Sequence, residues 1–325
     1  MTGARRRATR LLLVALLTGG LTACTSAPAE PGLWHDGRLY IGTGNTTGTY
    51  YQLGGGFADL ISNHLPGFEA RAEPTGASGD NVERVASRDM DIAFCNADTA
   101  ADAATGKGSF AGRQQPVRAL ARLYQNTMQV VVRTEARIAT VADMRGKRVS
   151  TSSPNSGTDV MAGRIIEAAG LDPDKDLTRL RISLAETTRA MRAGTMDAMF
   201  FTGGLPTPGI SDLIASAPAQ FLVLPIGALL APLTARYGQV YTTATIASSV
   251  YRTAGDVVTI VVPSLLIVHE EMPEGLAHQL TRLLFEHQRE LATVHPEGGN
   301  FDRRHGPETA PVPLHPGAQQ YYGSG

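Results

Sequence analysis

Short apolar runs alternate with amphipathic segments along most of this chain, and that alternation restricts the fold more than any other feature. Residues 39–42 (Leu-Tyr-Ile-Gly) read as a strand, and residues 51–65 follow with Leu53, Phe57, Leu60 and Ile61 at helical spacing. Ser78 opens a short helix with Val82, Val85 and Ala86 on one face, and residues 90–94 read as a buried strand. The same grammar predicts strands at 129–132, 147–150, 196–201, 221–225 and 257–262. Helices are expected over 159–169, 187–193 and, as one long element, 274–294. Such alternation builds largely parallel sheets with helices on their faces, so the expected class is α/β.

The chain is too long for one usual core, which makes two lobes the expectation for a sequence that is 42% hydrophobic and 18% charged. Valine-rich strands near residues 130 and 260 bracket a middle block of similar pattern. One lobe inserted into the other, with two crossovers forming a hinge, fits that arrangement. The expected division is 38–128 plus 245–325 for lobe 1 and 129–244 for lobe 2.

Arg5, Arg6, Arg7 and Arg10 precede an apolar run from Leu11 to Leu21, the pattern of a secretory signal peptide and too short for a membrane span. It ends in Leu21-Thr22-Ala23-Cys24, which resembles a bacterial lipobox. Residues 1–23 are therefore expected to be a lipoprotein signal peptide. Cys24 is the expected lipidation site, and 24–37 a small, Pro-rich lipidated tether. The mature protein is expected outside the cytoplasm, held by lipid to the outer face of the cytoplasmic membrane.

Cleavage before Cys24 removes four arginines and no acid, taking the formal net charge from −1 to about −5, which argues against nucleic acid as a partner. Cys95 is left as a lone thiol and reads as small core filler. Two cysteines exclude a Cys-based zinc cluster, and the eight histidines show no ligand-like spacing and read mostly as solvated, so no metal and no cofactor are expected. There is no Gly-x-Ser-x-Gly elbow and no nucleophile with an evident histidine partner. An enzyme is not expected.

Four loops carry the chemistry that remains. Residues 42–51 (Gly-Thr-Gly-Asn-Thr-Thr-Gly-Thr-Tyr-Tyr) join a strand to a helix, where backbone N–H groups and a helix N-terminus favour an anion. Their glycine spacing is one residue too long for a dinucleotide fingerprint. Residues 73–81 bring Ser78 as a helix cap and Asn81 as donor and acceptor. Residues 153–158 repeat the pattern, with Ser156 and Asp159 spaced as a capping-box variant. Residues 201–206 form a small-residue loop after a strand, where open α/β sheets place ligands.

Together these segments resemble a known family, the TAXI group of solute-binding proteins that serve tripartite ATP-independent periplasmic (TRAP) transporters. The resemblance covers about residues 38–325. It rests on Ile-Gly-Thr-Gly and Gly-x-Tyr-Tyr within 41–51, Thr-Gly-x-Ser-x-x-Asn at 75–81, Asp91-Ile92-Ala93-Phe94 with Asp98, and Leu123-Tyr124 before a valine strand. Asp143-x-x-Gly146-Lys147-Arg148-Val149, Ser156-Gly157-Thr158, Gly194-x-x-Asp197-Ala198, Gly204-x-Pro206 and Pro313-Leu314-His315-Pro316 add to it. The resemblance implies a two-lobed type II periplasmic-binding-protein fold, each lobe a mainly parallel sheet flanked by helices, with the ligand cleft between lobes. It also implies a small carboxylate ligand such as glutamate, delivered by a monomer to TRAP-type membrane permease subunits. The alternative of another class is a sensory module that docks on a membrane receptor or kinase.

The expected ligand-binding residues are Thr43, Gly44, Thr47, Tyr50, Tyr51, Ser78, Asn81 and Asn96 from one lobe, facing Ser156, Gly157, Thr158 and Gly204 from the other. The family often has glycine where Asn45 and Ala77 stand, proline at Gln52 and glutamine at Asn96. An arginine clamp of the kind other TRAP binding proteins use is not evident.

Overall fold

The computed structural model describes residues 33–324. Its first elements are β1 (Arg38–Gly42), α1 (Thr49–His64), β2 (Glu69–Glu73), α2 (Ser78–Ala86), β3 (Ile92–Asn96) and α3 (Ala97–Thr105). A 17-residue strand, β4 (Val117–Arg133), leads into the middle of the chain. There follow β5 (Arg148–Ser150), α4 (Gly157–Ala168), β6 (Thr178–Leu180), α5 (Leu184–Arg192), β7 (Ala198–Gly203), α6 (Pro208–Ser216) and β8 (Phe221–Val223). After α7 (Leu230–Tyr237), β9 (Thr242–Ile246) and α8 (Ser248–Tyr251), the 13-residue β10 (Val257–His269) brings the chain back. The last helices are α9 (Glu274–Glu286), α10 (Gln288–Val294) and α11 (Pro316–Gly323).

The ten strands among the described residues form one sheet, ordered β2-β1-β3-β10-β4-β7-β5-β6, with β8 added to β4 and β9 to β10. Parallel pairing is confined to its two ends, β1 with β2 and β3, and β5 with β6 and β7. The middle is antiparallel because the two long strands each serve both ends. β10 pairs with β9 through residues 257–261 and with β3 through 264–268, while β4 pairs with β10 from residue 117 and with β7 up to residue 132. The fold is thus a two-lobed α/β arrangement whose parallel units carry the helices, with antiparallel ladders of β4 and β10 between them. A register shift lies between Pro263 and Leu265, where proline lacks the N–H for a regular ladder.

Apolar faces set the layers. Phe57, Leu60 and Ile61 of α1 pack with Leu280 and Leu284 of α9 on one side of the sheet, and Met191, Ile210 and Leu213 cover Met199 and Phe201 further along it. Val82, Val130, Met161, Ile165, Phe200 and Ile260 belong to a third cluster that spans both ends. Cys95 is fully buried, in keeping with a core filler.

The expected signal peptide 1–23, the lipidation site Cys24 and the tether up to residue 32 lie outside the described residues. Residues 34–37 form a short 3-10 turn on the protein body, because the Trp34 indole donates to Asp91 Oδ1 at 2.7 Å. Three of the expected elements differ in extent, and one of them is β10, which runs seven residues beyond 262 to His269. β4 begins twelve residues before 129, because Arg118, Arg122 and Gln125 interrupt its apolar pattern while the backbone ladder continues. The helix expected over 274–294 is broken at His287 (φ −105, ψ 21), whose Nδ1 pairs with Glu290 Oε1 at 2.6 Å as a new helix starts.

Candidate functional site

Four helices point their N-termini into one cavity. Gly44, Asn45, Gly48, Thr49 and Tyr50 bring the start of α1; Ala77 and Ser78 the start of α2; Asn96 that of α3; Ser156, Gly157 and Thr158 that of α4. Tyr124 and Asn126 of β4, Ser152 after β5, and Phe201, Thr202 and Gly203 of β7 complete the wall. The helices α1, α2 and α3 carry no side-chain cap; the first turn of α1 holds no acid and adds a partial positive field of about half a charge, whereas Asp80 and Asp98 stand in the first turns of α2 and α3. Ser156 caps α4 by accepting from Asp159 N at 3.1 Å. None of the lining residues is charged.

The wall is a hydrogen-bonded network. Tyr50 donates to Asn96 Oδ1 at 3.0 Å and accepts from Asn126 Nδ2 at 2.5 Å and Ser264 Oγ at 3.1 Å. Thr158 Oγ1 accepts from Thr202 N at 3.0 Å and lies 2.8 Å from Thr202 Oγ1. Burial pushes the Tyr50 and Tyr124 hydroxyls well above the usual tyrosine range, so both stay neutral. Three lining atoms are buried without a partner: Tyr124 Oη, Asn126 Oδ1 and Ser152 Oγ. A buried polar atom left unpaired costs about 1–3 kcal/mol, so these three atoms mark where a polar solute repays its own desolvation. Non-glycine residues take positive φ around the rim, at Ala77 (69°), Ser152 (72°) and Asn155 (56°). Strain of that kind gathers at ligand clamps.

The two walls touch directly. Gly79 N donates to Asn155 O, Leu184 N to Asn45 Oδ1 and Gly204 N to Thr49 Oγ1, each at 3.0 Å. The space between leaves about 30 Å³ for the centres of water-sized molecules, room for two or three waters.

Of the residues expected to bind ligand, Gly44, Tyr50, Ser78, Asn96, Ser156, Gly157 and Thr158 line this cavity. Thr43 does not: it is fully buried and its hydroxyl donates to Glu73 O at 2.6 Å. Asn81 lies behind the wall, where its amide donates to Thr43 O and Phe94 O and its Oδ1 accepts from Thr75. Thr47, Tyr51 and Gly204 are outside the lining, Gly204 being bound to Thr49 one layer back. Ser78 is the first residue of α2 instead of its cap, and its Oγ accepts from Asn96 N. Tyr124, Asn126, Ser152 and Thr202 were not among the expected residues. No alternation marked the first two, because Gln125 between them is polar as well.

The histidines were expected to be mostly solvated, and three of the eight, His269, His295 and His315, are buried. His295 Nδ1 accepts from Glu297 N at 3.1 Å, so the ring proton sits on Nε2, 3.3 Å from Pro206 O. Burial lowers the pKa of all three below the ordinary histidine value. The unfolded chain therefore binds protons near pH 6.5 that the folded protein does not, and stability is lost as pH falls through that window. Calorimetric melting temperatures are expected to drop between pH 7 and pH 5.5, with a shallower drop in His295→Gln. A flat profile in the wild type would refute this assignment.

Among the described residues no helix is long and apolar enough to cross a membrane. Solved structures share the fold at identities too low to indicate more. A binding-protein component of an ABC phosphonate transporter from Pseudomonas aeruginosa matches with a TM-score of 0.54 and 14% identity, covering 81% of this chain and 79% of that one. PhnD1 from Prochlorococcus marinus, in complex with methylphosphonate, matches with a TM-score of 0.54 and 12% identity, covering 81% and 90%. An ancestral arginine-binding protein bound to arginine matches with a TM-score of 0.50 and 12% identity, covering 82% and 98%. The model of the NMT1-like family matches residues 41–323, nearly all of the folded chain, and the protein belongs to that family.

Proposed function

We propose that this protein is an extracytoplasmic solute-binding protein that closes on a small carboxylate, a glutamate-like amino acid or a dicarboxylate, and delivers it to a TRAP-type permease. The observation that carries the reading is the convergence of four helix N-termini on unpaired Tyr124, Asn126 and Ser152 in a lining without formal charge. A carboxylate leaving water needs several donors, which the helix N–H groups and the Tyr124 and Ser152 hydroxyls supply without a cation, whereas Asn126 Oδ1 only accepts and suits the ammonium of an amino acid. In this reading the lobes are 38–128 with 245–325 and 129–244, the chain crosses between them within β4 and within β9, and Cys24 carries the lipid anchor. The protein acts as a monomer, without a cofactor and without catalysis.

A second reading of the partner is an ABC-type permease, favoured by the phosphonate-transporter component that shares the fold. A thermal-shift panel separates the solutes, since a ligand at a hundred times its Kd stabilises the folded state by about 2.7 kcal/mol. Glutamate or a small dicarboxylate is expected to raise the melting temperature. A rise with methylphosphonate and none with any carboxylate would sink the carboxylate assignment. Genes for small and large TRAP membrane subunits beside this one support the first partner; a neighbouring ATP-binding subunit supports the second.

Thr158→Val keeps the side chain's shape and removes the hydroxyl that accepts from Thr202 N. Hydrogen bonds to a charged group are worth about 1.5–3 kcal/mol each, so affinity for the selected carboxylate should fall about ten- to a hundred-fold by calorimetry. Affinity within twofold of wild type removes Thr158 from the site.

A further inference from the structure

We propose that His64, His287 and Glu290 form a second site, for a divalent transition-metal ion of the zinc class, at the helix ends where α1 meets α10. None of the three lines the cleft cavity. Their ligand atoms all lie within 4.8 Å of one another. Metal–ligand bonds of 2.0–2.2 Å in a tetrahedron separate ligand atoms by roughly 3.3 Å. The distances here bracket that value: His287 Nδ1 is 2.6 Å from Glu290 Oε1, and His64 Nε2 is 3.9 Å from Glu290 Oε2. The two imidazoles lie with centroids 4.0 Å apart and planes inclined by 32°. Their side chains are 38% and 22% exposed and that of Glu290 is 58% exposed, so small rotations bring the three atoms onto one centre and leave a fourth position to water.

The chemistry selects the ion. Two imidazoles with one carboxylate suit zinc, copper or nickel, whereas calcium and magnesium take oxygen ligands. The backbone explains the convergence. His64 is the last residue of α1, and the break between α9 and α10 turns His287 onto the same face as Glu290 three residues later. No spacing in the sequence reveals the site, since His64 and the other two come from opposite ends of the chain.

Zinc sulfate titrated by calorimetry into full-length protein previously treated with chelator is expected to saturate at one equivalent. His64→Ala and His287→Ala should each weaken that binding by about 100-fold or more, since even losing a supporting residue behind a ligand costs 10–100-fold. His305→Ala, which removes a histidine paired with Glu308, should leave it unchanged. Because His287 also ends α9, cobalt(II) supplies a second readout: visible bands of a four-coordinate site should appear in the wild type and vanish in Glu290→Gln. Absence of saturable zinc binding overturns the proposal. So does binding that survives both His64→Ala and His287→Ala, or cobalt bands that persist in Glu290→Gln.

Discussion

Gly157→Val is expected to abolish solute capture, lowering affinity at least about 100-fold, while the protein stays folded. Gly157 opens α4 where the two walls of the cleft meet. A Cβ built there stands 2.5 Å from Ser78 Oγ and 2.6 Å from Asn96 Nδ2, inside any normal contact. Neither neighbour can retreat cheaply. Ser78 Oγ accepts from Asn96 N, and the Asn96 amide is tied to Tyr50, Asn126 and Thr202. Valine adds two methyl groups beyond that Cβ, so the walls stay apart and the four helix N-termini no longer converge on one solute. The loss is therefore of several hydrogen bonds together, each worth about 1.5–3 kcal/mol to a charged group. Gly79→Ala makes the same point from the other wall, since its Cβ would stand 2.3 Å from Asn155 O.

The control is Gly55→Ala, at a position in α1 where a Cβ meets nothing within 4 Å. It should leave affinity unchanged and add about 0.5–1 kcal/mol of stability, because alanine loses less backbone entropy in a helix. Calorimetry with the selected carboxylate and a melting curve for each variant check these outcomes. Wild-type affinity in Gly157→Val would show that capture does not require these walls to meet.

The α/β class and, to within two residues, the starts of α1, α2 and α4 were legible because they depend on local chemistry, whereas α3 was not expected. A glycine and hydroxyl-rich stretch between an apolar run and an amphipathic one has few structural readings, and 42–51 and 153–158 both place their helix N-termini at the cavity. What was not legible is where a side chain spends its hydrogen bonds. Thr43 and Asn81 have the donors and acceptors a ligand needs, yet tertiary contacts use them up: Glu73 O takes the Thr43 hydroxyl, and Thr43 O and Phe94 O take the Asn81 amide. β4 hid its contribution for another reason. Its two sides face different spaces, with Tyr124 and Asn126 on the cleft and Gln125 on a groove behind it. A strand polar on both sides does not show the period-2 alternation by which a half-buried strand is recognised.

That rear groove holds the interaction whose removal should cost the most stability. Arg164 of α4 reaches across to α3, where its guanidinium pairs with Asp102 and lies 3.6 Å from Asp98 Oδ2. Tyr241 donates to Asp98 at 2.7 Å and accepts from Arg164 at 2.9 Å. The Asp98 side chain is fully buried and that of Arg164 is 13% exposed. Burial pulls the Arg164 pKa down, but Asp98, Tyr241 and Asp102 more than offset it, so the guanidinium stays charged throughout the accessible range. Arg164→Leu keeps much of the packing and leaves Asp98 and Asp102 without a cation. Breaking a buried pair by removing one partner costs about 3–5 kcal/mol, most of it from the abandoned charge. The melting temperature should fall by roughly 5–10 °C. Arg164→Leu combined with Asp98→Asn should recover a large part of that loss, because the double variant no longer buries the unpaired carboxylate of Asp98. A double-mutant cycle from denaturant unfolding measures the coupling. Additive losses, with no recovery in the double variant, would show that α3 and α4 are held together by packing and not by this charge.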